Sequence, residues 1–416
     1  MSRKRTVASV IVSAALFAAM FSVTAQRAYA SQVPILSSGE KYGIPLSSLS
    51  HKADEVVLAK QARSATLMDA ATGKILYAKD EHERLPMASI TKIMTLLLIM
   101  EAIDDGHLKL TDKIKASEYA SSMGGSQIFL EPGETMTVDE MLKGISIASA
   151  NDACVAMAEH LSGTEENFVK KMNERATELG MRDTHFSNCN GLPTENHYSS
   201  AADIAIMSRE LLKHPSVTKW TSVYSDYLRK NSDHPLWLVN TNKLVRFYEG
   251  VDGLKTGFTA EAKYCLSATA KRNEFRVIAV VMGEPRAPVR NAEVSQMLNY
   301  AFANYSSKII YQKGDPVAML KVSKGVKQTV VAVAGDTVGM MIRKGEEPDY
   351  DKKIELFTVK APVSFHQRVG TLRVYHDDEC IAKVPLLAKD AIKRAGFFFT
   401  LSRTFQNVVT FGHAKS

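Results

Sequence analysis

Cysteine is scarce, with Cys154, Cys189, Cys265 and Cys380 the four thiols in 416 residues. So few in so long a chain do not make a disulfide framework, and Cys154 and Cys265 lie in apolar runs where a small buried hydrophobe serves. His185 and Cys189 are close in sequence, but no second pair at zinc-ligand spacing follows, so no metal site is expected. The chain has no Gly-x-Ser-x-Gly elbow, and His82-Glu83 lacks the second histidine of a zinc-protease helix. It also lacks internal repeats and low-complexity tracts.

A basic body is missing too. Of the formal net charge of +7, four charges are Arg3, Lys4, Arg5 and Arg27, and the last twenty-nine residues contribute a net four more. The stretch between is close to neutral, which excludes the electrostatic footprint of a nucleic-acid binder. Long apolar runs are confined to residues 7–21, behind Arg3, Lys4 and Arg5 and ahead of Ala28-Tyr29-Ala30. That is the pattern of a secretory signal over residues 1–30, so the rest of the chain is expected outside the cytoplasm.

What is present is patterned in blocks. Residues 31–61 read as a weakly ordered lead-in. Ser64–Asp69 and residues 74–78 are strand-like runs around Ala-Thr-Gly. A buried helix is expected over residues 89–104, because Ile93, Leu96, Leu97 and Met100 recur at three-four spacing behind Ser89. Further helical patterns cover residues 138–147, 152–161, 165–179 and 201–212. Residues 263–270 and 275–282 form a β-rich hairpin, and residues 289–305 a closing helix. Strands, helices, strands and a helix in that order predict an α+β domain over residues 62–305, an antiparallel sheet packed with helices plus a helical lobe. Short alternating runs then predict a small all-β domain over residues 306–387.

Three short motifs appear in order: Ser89-Ile90-Thr91-Lys92, Ser149-Ala150-Asn151 and Lys255-Thr256-Gly257. Each alone is weak. On a helix, residues three apart share a face, so the Lys92 amine can reach the Ser89 hydroxyl, and the helix N-terminus favours an alkoxide-like oxygen beside a neutral amine. A desolvated lysine near other cations can act as general base, which makes this a serine-lysine nucleophile.

Together with Pro86 to Thr95, Ala148 to Ala153, His197 to Asp203 and Gly250 to Gly257, these motifs give the chain its resemblance to the low-molecular-mass penicillin-binding proteins, the serine-type D-alanyl-D-alanine carboxypeptidases. The likeness to sporulation-associated Gram-positive members is the nearest. The resemblance implies a penicillin-binding, β-lactamase-like fold and removal of the terminal D-alanine from peptidoglycan stem pentapeptides. Ser89 would be the nucleophile and Lys92 its base. Ser149 would relay a proton, and Asn151 would hold Lys92 and the substrate amide. The oxyanion would sit between the N–H groups of Ser89 and Phe258. Lys255 and Thr256, in the motif that Gly257 closes, would grip the terminal carboxylate with Arg290. It also implies inhibition by β-lactams and no cofactor. Ala150 stands where many relatives carry glycine, and Phe258 where some carry a polar residue. A β-lactamase is the rival enzyme, but the chain has no Glu-x-x-Leu-Asn. A DD-endopeptidase and a non-catalytic peptidoglycan-binding protein remain open alternatives.

Over residues 388–416, Phe398, Leu401, Phe405, Val408 and Gly412 recur at three-four spacing behind Lys389, Lys393 and Arg394. This pattern predicts an amphipathic helix lying on an anionic membrane surface, or docked on the β domain.

Overall fold

The computed structural model describes residues 56–396, apart from Pro348 and Asp377. The expected signal and the apolar stripe from Phe398 lie outside the described residues. The main sheet is five-stranded and antiparallel, in the order Ile75–Lys79, Ser64–Asp69, Phe275–Glu284, Lys263–Arg272, Val251–Thr259. The earliest strands stand at one edge and the latest ones fill the centre, as the order of sequence blocks requires.

The central strand shows why. Val-Ile-Ala-Val-Val-Met, residues 277–282, is apolar at every position, so it suits a strand covered on both faces. Alternation divides it: Ile278, Val280 and Met282 enter one core, while Val277, Ala279 and Val281 enter another. The second core is closed by helix Ala287–Asn304 through Val294, Met297, Leu298 and Ala301. Helices Lys92–Asp104, Asn151–Ser162 and Ala201–Leu211 build the first.

Several starts and stops differ from the sequence reading. The helix expected from Ser89 begins instead at Lys92, after a 3-10 turn Ala88–Thr91 in which Ala88 takes φ 48°, and Ser89 caps nothing. Residues 138–147 are not one α-helix. Val138–Lys143, held by a Thr137–Glu140 capping box, widens into a π-turn, Gly144–Ala148, that ends on Ser149. The ordered chain also begins before Ala62: Leu58 and Ala59 are buried, Tyr77 Oη donates to Leu58 O at 2.6 Å, and Gln61 N–H donates to the Glu293 carboxylate at 2.9 Å.

The C-terminal part is all β, as expected. One sheet orders Asp351–Leu356, Arg368–His376, Glu379–Ala388, Thr329–Ala334, Pro316–Ser323 and Val359–Lys360, and a ribbon pairs Tyr305–Tyr311 with Val338–Arg343. Residues 388–396 correct the C-terminal expectation. They run extended rather than helical, because the β domain supplies partners: Ile392 bridges Val363, Val326 N–H donates to Lys393 O, and Ala395 N–H to Lys324 O. Among the described residues no helix is long and apolar enough to cross a membrane.

Candidate active site

The 3-10 turn puts Ser89 just ahead of the buried helix whose first residue is Lys92. Lys92 is fully buried, and its Nζ donates to Ser89 Oγ at 3.0 Å, Asn151 Oδ1 at 2.6 Å and Asn190 O at 2.5 Å. Burial lowers its pKa from the ordinary lysine value, against an upward pull from Cys154, Cys189 and Asp152. Once it loses a proton the amine keeps two hydrogens for the two amide oxygens and turns its lone pair to the Ser89 hydroxyl, reversing that contact.

Asn151 opens its own helix and is held on both sides. Its N–H donates to Ser126 O and its Nδ2 to Gly124 O, each at 2.7 Å. Gly125 is needed there, since a Cβ on it would lie 2.8 Å from that Nδ2 and its φ is +77°. The next residue, Asp152, is buried and accepts from the N–H groups of Ile128 and Leu130. Segment 124–130 is thus tied to the Ser149-Ala150-Asn151 turn, a relation the sequence reading missed. Ser149 is buried with φ 64°, and Ala150 sits at φ −61°, ψ 120°, a conformation open to any residue. No glycine is required at that point.

Strand Val251–Thr259 brings the third motif alongside. A Cβ on Gly257 would stand 2.6 Å from Met87 O, so glycine is what lets this strand approach the serine turn. Lys255 is buried with Nζ donating to Thr256 O at 2.8 Å. Burial first, then the positive charges of Lys92 and Arg290, hold its pKa well below the ordinary value. Thr256 Oγ1 donates to Thr241 Oγ1 at 2.7 Å. Phe258 is half exposed, its ring centroid 4.3 Å from that of Tyr264. Arg290 is buried, and its guanidinium donates to Asn291 Oδ1 at 2.9 and 3.1 Å. Lys92 therefore touches both Ser89 and Asn151, Lys255 lies within electrostatic reach of Lys92, and Arg290 within reach of Lys255.

Two further groups shape the serine turn. His197 Nδ1 accepts from Ser187 N–H at 3.0 Å, which leaves Nε2–H to donate to Thr91 Oγ1 at 2.7 Å, and Thr91 Oγ1 donates on to Ala88 O at 2.7 Å. Burial pushes His197 down to about 4, so it stays neutral and acts as a strut. Gly191, at φ +89°, packs so closely that a Cβ would come within 2.1 Å of Ala88 O. In the sequence His197 opens one of the stretches that carry the resemblance but has no role of its own, and Gly191 carries no signal beyond being glycine.

Residues 50–286 match the family described as D-alanyl-D-alanine carboxypeptidase, and residues 305–394 match the penicillin-binding protein 5 C-terminal domain. The D-alanyl-D-alanine carboxypeptidase DacF of Bacillus subtilis is 53% identical over 349 residues, 83% of this chain and 90% of that protein. Penicillin-binding protein 5 of Haemophilus influenzae superposes with a TM-score of 0.62 at 30% identity, over 82% of this chain and 99% of its own. A penicillin-binding protein of Listeria monocytogenes, solved in its ampicillin-bound form, gives 0.53 at 30% identity over 58% of this chain and 98% of its own. With this geometry and these matches along both domains, the chain belongs to the D-alanyl-D-alanine carboxypeptidase family of penicillin-binding serine hydrolases.

Proposed function

We propose that the protein removes the terminal D-alanine from peptidoglycan stem pentapeptides through an acyl-enzyme on Ser89. The observation that carries this reading is the Lys92 amine, buried, depressed in pKa and 3.0 Å from the Ser89 hydroxyl. Ser89 Oγ attacks the carbonyl between the last two D-alanines as its proton passes to Lys92. The N–H groups of Ser89 and Phe258 receive the oxyanion. The C–N bond then breaks, with Ser149 relaying the proton to the departing amine. Asn151 fixes Lys92 and the substrate amide, while Lys255, Thr256 and Arg290 hold the terminal carboxylate. Water cleaves the ester and frees Ser89. A β-lactam presents the same carbonyl and carboxylate, so it acylates Ser89 and leaves slowly.

The setting follows from the sequence. A signal over residues 1–30 exports the chain, and the segment beyond residue 396 associates peripherally with the outer face of the membrane. Two experiments test the whole reading. The protein releases D-alanine from a stem pentapeptide and takes up labelled penicillin, and Ser89→Ala does neither. Either property surviving in that variant overturns the assignment. Truncation after residue 396 releases the protein to the soluble fraction, and retention on membranes would refute the anchoring role.

A further inference from the structure

The central strand of the main sheet ends on Glu284, whose side chain is fully buried with a hydrogen-bond donor at neither oxygen. None of the roles proposed above uses it. Its near neighbour is a second carboxylate, Glu293, which shares the helix Ala287–Asn304 with Arg290. Two carboxylates this close and out of water cannot both ionise, so the pair holds one proton. The hydrogen bonds decide where that proton sits. Glu293 accepts from the N–H groups of Gln61 and Ala62, at 2.9 and 3.3 Å, which stabilises its ionised form, whereas Glu284 has nothing to receive a charge. Glu284 is therefore the neutral partner, and burial first, then Glu293, push it up to about 8.

The groups facing Glu284 decide what a charge there would do. Lys79 Nζ is committed to the carbonyls of Ala59, Lys60 and Ala62 at 3.0, 3.0 and 2.5 Å, and Arg63, beside Gly283, is paired with Glu83. Tyr264 lies opposite on the neighbouring strand, and next to it burial pushes the Cys265 thiol up to about 11. Arg290 differs from the other cations. Among the described residues it forms no ion pair and donates to the neutral Asn291 side chain, yet it lies within electrostatic reach of Glu284. While Glu284 is neutral, the guanidinium charge stays uncompensated and open to a substrate carboxylate. An ionised Glu284 supplies an internal counterion instead.

We infer that Glu284 is a positioning residue that sets how strongly Arg290 grips the substrate's terminal carboxylate: protonated, it leaves the guanidinium to the substrate, and ionised, it competes for it. The inference rests on the carboxypeptidase reading and on the carboxylate role given there to Arg290, and it adds an alkaline limit to substrate recognition. Glu284 is neutral below about pH 8 and charged above it, so carboxylate recognition weakens as pH rises through that value.

The test compares acyl-L-Lys-D-Ala-D-Ala with its C-terminal carboxamide, by the ratio of their kcat/KM values for release of D-alanine or D-alaninamide, at about pH 7 and about pH 9.5. Because the readout is a ratio within each protein, changes in Lys92 or in the folded fraction cancel. Lys255 also holds the carboxylate, and its depressed pKa lets it lose charge over this range. The Glu284 share is therefore read against Glu284→Gln, which keeps a donor towards Glu293 and stays neutral at both pH values. From the lower to the higher pH the ratio is expected to fall about fivefold further in the unaltered protein than in Glu284→Gln, chiefly through KM. In an Arg290→Gln background, Glu284→Gln should make no difference to that fall. Equal falls in the unaltered protein and Glu284→Gln, or an undiminished effect of Glu284→Gln without Arg290, overturn the role while leaving the carboxypeptidase reading intact. Failure of the unaltered protein to release D-alanine from the carboxylate peptide overturns both.

Discussion

The catalytic domain and the β domain fill their interiors with different chemistry. Around the main sheet, Lys92, Lys255, Asp152, Asn151 and Arg290 are all buried alongside the apolar clusters. In the β domain the core is Leu320, Val330, Val369, Leu372, Val374, Leu386 and their neighbours, and Thr371 is the buried polar side chain among the described residues. Burying a charge costs several kcal/mol unless partners receive it. The first domain meets that cost where Ser89, Asn151 and Asn190 converge on Lys92. The second has no such cost, so whatever it contributes resides in its surface and its placement of the chain.

Substitutions can break or sharpen this contrast. Ser89→Ala has the largest expected effect, complete loss of covalent penicillin labelling with both domains folded by circular dichroism. Lys92→Met comes next. Loss of the general base should slow acylation by about 10²–10⁴-fold, measured by stopped-flow, while thermal stability holds or rises because a buried amine has been replaced by an apolar chain.

In the catalytic domain, acid should act through His197. His197 titrates near 4 when folded, against an ordinary 6.5. In that window the unfolded chain binds the extra proton, so stability falls as pH drops from 6.5 to 4, by up to about 3 kcal/mol. The buried Glu284 carboxyl, pushed up to about 8 by burial, pulls the other way over much of that window, so the His197 share is read as the difference between the unaltered protein and His197→Gln in denaturant titrations at both pH values. Leu372→Ala in the other domain should cost about 3 kcal/mol with no change in acylation rate. A slower acylation there would mean the two interiors are coupled. Asp152→Ala is the smallest change, about 2 kcal/mol, because the N–H groups of Ile128 and Leu130 lose their acceptor. Its signature is faster amide exchange in segment 124–130.

Much of the fold was legible beforehand, for reasons that can be traced. The sheet strands 263–270 and 275–282 announce themselves by β-branched, small and apolar runs broken at Lys271-Arg272-Asn273. Structure extends them only to Arg272 and Glu284. Helix Glu165–Glu178 was equally plain. The serine turn was not, because φ 48° at Ala88 depends on Gly191 and His197, about a hundred residues away. The π-turn before Ser149 escaped for the same reason, since Gly144-Ile-Ser-Ile-Ala has no local mark separating it from an α-helix. The extended run 388–396 was misread as helix because its β-domain partners, Lys324, Val326 and Val363, lie in other strands and loops.

By itself the sequence determined the order of strands and helices and the Ser89–Lys92 spacing, since both depend on neighbours within a turn or two of chain. Tertiary structure alone decided how Lys92 becomes a base. Its partners Asn151 and Asn190 lie 59 and 98 residues away, and the burial that lowers its pKa exists only once the sheet and helices have closed around it.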